Sequence, residues 1–326
     1  MRRNLVYILL SGLAISAAAA EKAELVLARK IWDSAPHNAF TDLIRYEGKW
    51  LCAFREGKAH VSDDGTIRIT SSRDGTDWDS WDEIKMGGVD LRDPKICITP
   101  GGELMLTTAG ADRKAERQNP VPHQSYSWLR GKNNEWRGPF EIGDPNMWLW
   151  RVTWHKGTAY SIGYDTAGEK FVRLYRSSNG RQFDVLVPRL FGEGSPNESG
   201  LVFQSDDTAI CLLRRDGEQS SGMVGRSRPP YTDWSWKDLG VKIGGPQLIE
   251  LPGGRLIAGV RLYDGKVRTA IVQIDAEAGK LTEMLALPSG GDTSYPGLVW
   301  HEGILWVSYY SSHEGKTAIY LAKVKL

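Results

Sequence analysis

Short apolar runs, read with a period of two, alternate along almost the whole chain with turns rich in Gly, Asp and Asn. Six turns share one form: Glu47-Gly48-Lys49, Gly101-Gly102-Glu103, Lys156-Gly157-Thr158, Asp206-Asp207-Thr208, Gly253-Gly254-Arg255 and Glu302-Gly303-Ile304. Each lies between two strand-like runs, which is the hairpin pattern. Positions 48, 102, 157, 207, 254 and 303 are spaced by 54, 55, 50, 47 and 49 residues. A second register follows the first. Ser72-Arg73-Asp74-Gly75-Thr76-Asp77-Trp78 and Ser177-Ser178-Asn179-Gly180-Arg181-Gln182-Phe183 share Ser-x-[Asp/Asn]-Gly-x-x-aromatic, and Ser127 and Ser227 open related stretches ending at Trp136 and Trp234. Ser, Asp and Asn side chains accept turn N–H groups, so this pattern predicts a tight turn closed by a packed ring.

Two registers of one period, with almost no helical periodicity, predict an all-β chain. The expected fold is a six-bladed β-propeller with four antiparallel strands per blade, in one domain over residues 21–326. Ahead of it, Arg2 and Arg3, the apolar run Leu5–Ile15 and Ala18-Ala19-Ala20 read as a signal peptide over residues 1–20, hence a secreted or periplasmic protein. No later run has the length of a membrane span.

Composition narrows the class. With 41 Lys+Arg against 40 Asp+Glu, the net charge of +1 argues against a nucleic-acid-binding surface. The 36 Gly and 15 Pro suit many turns, and the 13 Trp suit packing between blades. Three Cys make no disulfide scaffold; Cys52 and Cys211, each four residues after a turn, and Cys97 read as buried free thiols. The histidines at 37, 60, 123, 155, 301 and 313 show no metal-ligand spacing, and neither metal nor cofactor is expected.

In a propeller the start of each inner strand and the end of the next strand reach the same channel mouth. Counted from the turns, those slots hold Asn38, Arg92 and Asp93, Arg151, Glu198, Gln247 and Tyr295, and then Arg55, Arg214, Arg261 and Tyr310. His37 neighbours the first slot. Unpaired charge near the axis is costly, so polar groups gathered there point to a site for a polar, anionic ligand. Arg214 and Arg261, in matching positions of adjacent blades, fit two forks aimed at one carboxylate.

From about Ala35 to Leu326 the chain resembles the sialidase (neuraminidase) superfamily of six-bladed propellers with Asp-box (BNR) repeats. The likeness rests on Leu51-Cys52-Ala53-Phe54-Arg55-Glu56-Gly57-Lys58, on Asn197-Glu198-Ser199-Gly200 with Arg214, on Gly245-Pro246-Gln247 through Arg261, and on Thr293-Ser294-Tyr295-Pro296-Gly297 with Ser308-Tyr309-Tyr310. It implies an exported exo-α-sialidase-like hydrolase acting on sialylated or other acidic glycans with retention. Tyr295 is then the nucleophile, Glu198 its base, and Asp64, or Asp63 beside it, the acid on the loop after Lys58. A carboxylate on the anomeric carbon of the sugar would repel a carboxylate nucleophile, whereas a phenol avoids that repulsion. Two departures stand out. Asn38 or His37 lies where the family has its first carboxylate-binding Arg, and Lys58 where another Arg is usual. A lost charge-assisted fork weakens binding by about 1.5–3 kcal/mol. Arg55 and Arg92 are the candidates to replace it. Two other functions fit the same residues: a non-catalytic glycan-binding propeller, with Trp148, Trp150, Trp154 and Tyr164 as stacking platforms, and a propeller glycosidase or lyase for another acidic sugar.

Overall fold

A computed structural model describes residues 22–113, 122–131 and 133–326, so the leader at 1–20 lies outside the described residues. Twenty-four strands, β1–β24, form six four-stranded antiparallel sheets among those residues. The innermost strands are β2 (His37–Tyr46), β6 (Val89–Ile98), β10 (Met147–His155), β14 (Pro196–Phe203), β18 (Ile243–Glu250) and β22 (Thr293–His301). They pack neighbour to neighbour, and β22 returns to β2 to close the ring. Five blades take four consecutive strands. The sixth joins three C-terminal strands to β1 (Glu24–Trp32), which pairs with β24 (Ala318–Lys325) from Glu24↔Lys325 to Trp32↔Ile319. Both ends of the chain thus lock one blade, and no propeller edge is left between first and last.

The turns predicted from Ser-x-[Asp/Asn]-Gly close as the side chains dictate. Ser72 Oγ accepts the Gly75 N–H at 2.8 Å, and Asp74 Oδ1 accepts those of Thr76 and Asp77 at 2.7 and 3.4 Å. Ser177 and Asn179 repeat the arrangement around Gly180. Gly75 sits at φ 78°, and a Cβ there would lie 2.3 Å from the Trp306 ring of the last blade. Any larger residue would push two blades apart. Trp78 joins the interblade cluster of Trp50 and Trp306, whose rings stack at 4.1 Å, while Phe183 packs with Met105 and Leu129 of the preceding blade. The three thiols are free, with Cys52 and Cys211 buried and Cys97 half-buried in β6. No described helix is long and apolar enough to cross a membrane.

All six inner strands carry a β-bulge at the same place. Their registers slip at Ala39/Asp42, Arg92/Lys95, Leu149/Val152, Pro196/Ser199, Gly244/Gln247 and Ser294/Gly297. In each blade two residues face one on the partner strand, which bends the strand and re-aims its side chains at the channel mouth. The period-two pattern gives no sign of this extra residue.

Candidate active site

The bulges build the site. In β14 the two residues of the bulge are Asn197 and Glu198, and the residue facing them on β15 (Ala209–Arg215) is Arg214. Glu198 and Arg214 are thereby set side by side: Arg214 Nη1 donates to Glu198 Oε2 at 2.7 Å. In β22 the bulge pair is Tyr295-Pro296, with Tyr295 at φ 49° behind Ser294 at φ 98°. A left-handed backbone costs a bulky residue about 1–2 kcal/mol, and such strain clusters at functional sites. Thr41 holds it in place by donating to the Tyr295 carbonyl at 2.9 Å, and Thr41 in turn accepts from Ser308 at 2.9 Å.

The Tyr295 hydroxyl then donates to Glu198 Oε1 at 2.5 Å and accepts from Arg214 Nη1 at 3.0 Å. A third blade adds the Gly245 N–H, which reaches Glu198 Oε2 at 2.8 Å. Gly245 is at φ 54°, and a Cβ would lie 3.0 Å from the Tyr295 ring. Here only glycine gives both the amide and the room. Around the phenol stand Phe40, Trp150 and Tyr310, with ring centroids at 5.3, 5.6 and 5.9 Å, and the Arg261 guanidinium 5.3 Å over the ring. Burial pushes the Tyr295 hydroxyl well above its ordinary range and the Glu198 charge pushes it further, against the pull of Arg214 and Arg261. It cannot ionise alone near neutral pH, but its hydroxyl already donates to a carboxylate placed to take the proton.

A second network adjoins the first. Arg261 Nη2 donates to the Tyr310 hydroxyl at 2.9 Å, which donates to Asp292 Oδ1 at 2.6 Å. Asp292 Oδ2 lies 2.8 Å from His60 Nδ1 and 3.3 Å from His37 Nε2. Burial opposes the charge of Asp292, but hydrogen bonds from His37, His60 and Tyr310 outweigh it and hold the carboxyl well below the usual range.

Asp93 is the first bulge residue of β6, at φ 50°. Burial raises its carboxyl to about 6, although Lys95 and Arg92 favour its charge; the nearby Glu198 charge adds to the rise. Lys95 is lowered to about 8, first by burial and then by Arg151. Its ammonium lies 4.7 Å over the Trp150 ring. Neither Asp93 Oδ1 nor Lys95 Nζ has a hydrogen-bond partner among the described residues. Buried polar atoms of that kind mark the floor of a site that water or a ligand completes.

Several residues expected to face a ligand are used elsewhere. Asn38 is fully buried; its amide donates to the carbonyls of Ala35 and Thr317 at 2.8 and 3.0 Å, so it ties the first blade to the last. Arg55 is also fully buried and reaches Asp90 at 2.8 Å, Ala59 O at 2.9 Å and Ser62 Oγ at 2.8 Å, anchoring the loop after β3 (Lys49–Gly57). Arg92 supports that loop through the His60 carbonyl at 2.6 Å and stacks 4.9 Å over Phe40. Arg151, the second residue of its bulge, and Gln247, the residue after its own, line a mostly apolar cavity of about 350 Å³ at the opposite end of the channel. There Arg151 pairs with Asp42 at 2.8 Å. In the loop after β3, Asp63 is exposed, and Asp64 accepts the Lys58 N–H at 3.2 Å and closes its own turn. The side chain that this loop directs toward the hub is His60, which packs edge-on to Phe40 at 5.2 Å. Trp148 and Trp150 are buried, and Trp148 stacks on Tyr164 at 5.7 Å. Asp292 and His60 escaped the sequence reading because both lie on loops outside the strand registers.

Solved structures share this architecture. A protein of unknown function from Dyadobacter fermentans superposes with a TM-score of 0.82 at 18% identity, covering 94% of this chain and 99% of the other. An α-L-arabinofuranosidase from Fusarium graminearum gives 0.72 at 11% identity, over 94% and 99% of the two chains. The sialidase of Trypanosoma rangeli, bound to the inhibitor DANA, gives 0.69 at 11% identity, over 89% of this chain and 55% of that one. No family model and no curated protein sequence matches the chain. The shared feature is the six-bladed propeller fold, which at these identities leaves the chemistry to the site.

Proposed function

We propose that the protein is a retaining glycoside hydrolase that removes a terminal acidic sugar of the sialic acid type from a glycan, with Tyr295 as nucleophile and Glu198 as its base. The observation that carries this reading is the 2.5 Å hydrogen bond from the Tyr295 hydroxyl to Glu198 Oε1, with Arg214 bonded to both groups. A binding protein gains nothing from a strained tyrosine aimed at a buried carboxylate. In the first step Tyr295 Oη bonds to the anomeric carbon while its proton passes to Glu198 Oε1 and the leaving oxygen takes a proton from an acid. In the second step water, deprotonated by the conjugate base of that acid, displaces Tyr295, and Glu198 returns the phenolic proton. Arg214 and Arg261 supply cationic faces for the sugar carboxylate.

The proton donor we assign is Asp93. Its carboxyl is buried, raised to about 6 and electrostatically coupled to both Glu198 and Tyr295, whereas Asp64 closes its own turn. A group of that pKa is protonated in mild acid yet basic enough to activate water afterwards. The leader-like residues 1–20 support export.

A second reading has one specific support. Arg214 is already engaged by Glu198 and by Asp216 at 3.0 Å, which leaves less free positive charge for a substrate carboxylate. Glu198 and Asp93 would then serve as the carboxylate pair of a hydrolase for neutral sugars. Purified protein assayed on fluorogenic sialosides, other acidic glycosides and α-L-arabinofuranosides separates the two. Release from sialosides that vanishes in Tyr295→Phe supports the first reading. Release only from arabinosides supports the second, and inactivity on every acidic glycoside refutes the first.

A further inference from the structure

We infer that His37, His60 and Asp292 form a binding site for a divalent transition-metal ion at the rim of the hub, open toward the ligand. The three side chains come from the start of β2, from the loop after β3 and from the turn before β22, yet one ligand atom from each lies within 4.8 Å of the others. Both imidazoles converge on a single oxygen, Asp292 Oδ2, at 2.8 and 3.3 Å. An ion bound at about 2.1 Å by nitrogen and oxygen donors in tetrahedral array would need its donors about 3.4 Å apart. The His37–Asp292 pair, at 3.3 Å, already stands at that spacing, and the His60–Asp292 pair, at 2.8 Å, has to open by only about 0.6 Å to reach it.

The supports of each ligand match those of a built site. The other oxygen of Asp292 is held by the Tyr310 hydroxyl at 2.6 Å, and the Asp292 N–H donates to Ser312 Oγ at 2.9 Å. His60 is carried on a loop pinned by Arg55 and by Arg92, whose guanidinium donates to the His60 carbonyl. Both rings pack on Phe40. Outer partners of this sort fix ligand orientation and tune affinity. Two imidazole nitrogens and one carboxylate oxygen suit Zn²⁺ or a neighbouring late first-row ion, and disfavour Mg²⁺ and Ca²⁺, which prefer all-oxygen sites. His60 is half-exposed, which provides entry for the ion and leaves coordination positions facing solvent.

The position gives the ion a task. Asp292 is shared between the two histidines on one side and Tyr310 and Arg261 on the other. An anionic group of a ligand can then bridge the ion and Arg261. That role, though not the binding itself, rests on the acidic-sugar reading above. It would supply positive charge at the strand entry where Asn38 is occupied with blade closure.

The test uses full-length protein purified without a histidine tag, stripped with EDTA and titrated with Zn²⁺ by calorimetry, with bound metal counted after desalting. One equivalent per chain is expected. In His60→Ala and Asp292→Asn, affinity should fall by at least the ~10–100-fold that outer-shell changes alone cost. His60→Ala alters an exposed side chain, and circular dichroism checks that both variants stay folded. Absence of stoichiometric Zn²⁺ in the wild type overturns the proposal, as does undiminished binding in a folded His60→Ala variant. Glycoside hydrolysis is measured separately on stripped and reloaded enzyme. Failure of the metal titration leaves the glycosidase reading standing, and inactivity on every sugar leaves the metal count standing.

Discussion

The Tyr295 hydroxyl donates to the Glu198 carboxylate, 97 residues away in the chain, across 2.5 Å, and the two groups reach each other only because both lie in the bulges of their strands. Glu198 accepts from Tyr295, Arg214 and the Gly245 amide at once. Glu198→Gln keeps the volume but removes the base. Its kcat is expected to drop by about 10²–10⁴, the usual contribution of a positioned base. Glu198→Ala adds a structural defect, since it strips Arg214 and the Gly245 amide of a shared partner; breaking a buried pair costs about 3–5 kcal/mol. Kinetics together with thermal melting separate the effects: the Gln variant, which loses the charge but keeps an acceptor for Arg214 and the Gly245 amide, should melt above the Ala variant. Comparable kcat in Glu198→Gln and the wild type would remove Glu198 from the chemistry.

The assignment of Asp93 as acid has a definite pH signature. Its folded pKa, about 6, lies above the ordinary 3.8. Activity that requires the protonated acid should therefore decline as pH rises through about 6. Stability carries the same sign. Below 3.8 the folded and unfolded states are both protonated at this group; between 3.8 and about 6 the unfolded chain loses its proton first, so the contribution of Asp93 shrinks as pH rises and is gone above about 6. Asp93→Asn should abolish the descending limb along with most of kcat, yet raise the melting temperature at pH 8 more than at pH 5. Asp64→Asn should change kcat only a few-fold. A large loss in Asp64→Asn with little in Asp93→Asn would return the acid to the loop.

The blade count and the turn chemistry were readable because each blade must bury its own faces, which forces apolar runs and a Ser-x-[Asp/Asn]-Gly turn to recur. The positions of Glu198, Tyr295, Arg214 and Arg261 near one mouth followed from that register. What escaped was finer than the repeat. A single extra residue per inner strand sends Arg151 and Gln247 to the far end of the channel. A polar residue at a strand entry looks alike whether it meets ligand or backbone: Asn38 meets Thr317, 279 residues later, only because the last blade closes on the first. Asp292 and His60 sit on loops whose paths no periodicity records.

Gly245 ties catalytic geometry to backbone freedom. Its amide holds Glu198, and its Cα faces the Tyr295 ring where a Cβ would lie 3.0 Å away. Gly245→Ala must adopt a left-handed backbone, costing about 1–2 kcal/mol, and displace the phenol. A loss of that size should lower the melting temperature by a few degrees. The larger effect is expected in kcat, with KM little changed, because the Tyr295–Glu198 distance lengthens. Steady-state kinetics and calorimetry on this variant check both. An alanine variant with wild-type kcat would show that the site tolerates a shifted phenol.

Asn38 separates the ligand-binding account of the strand entries from the closure account. If its amide contacted substrate, Asn38→Ala would raise KM and leave folding nearly untouched. The structure gives it three bonds instead, to the backbone N–H and carbonyl of Ala35 and to the Thr317 carbonyl, all away from solvent. Removing the amide leaves the Thr317 carbonyl short of a donor, and an unsatisfied buried group costs about 1–3 kcal/mol. That loss falls where the first and last blades meet. Asn38→Ala should accordingly melt several degrees lower, with faster hydrogen exchange along β1 and β24, while KM stays within about twofold of the wild type. A raised KM with an unchanged melting temperature would mean that Asn38 serves the ligand after all.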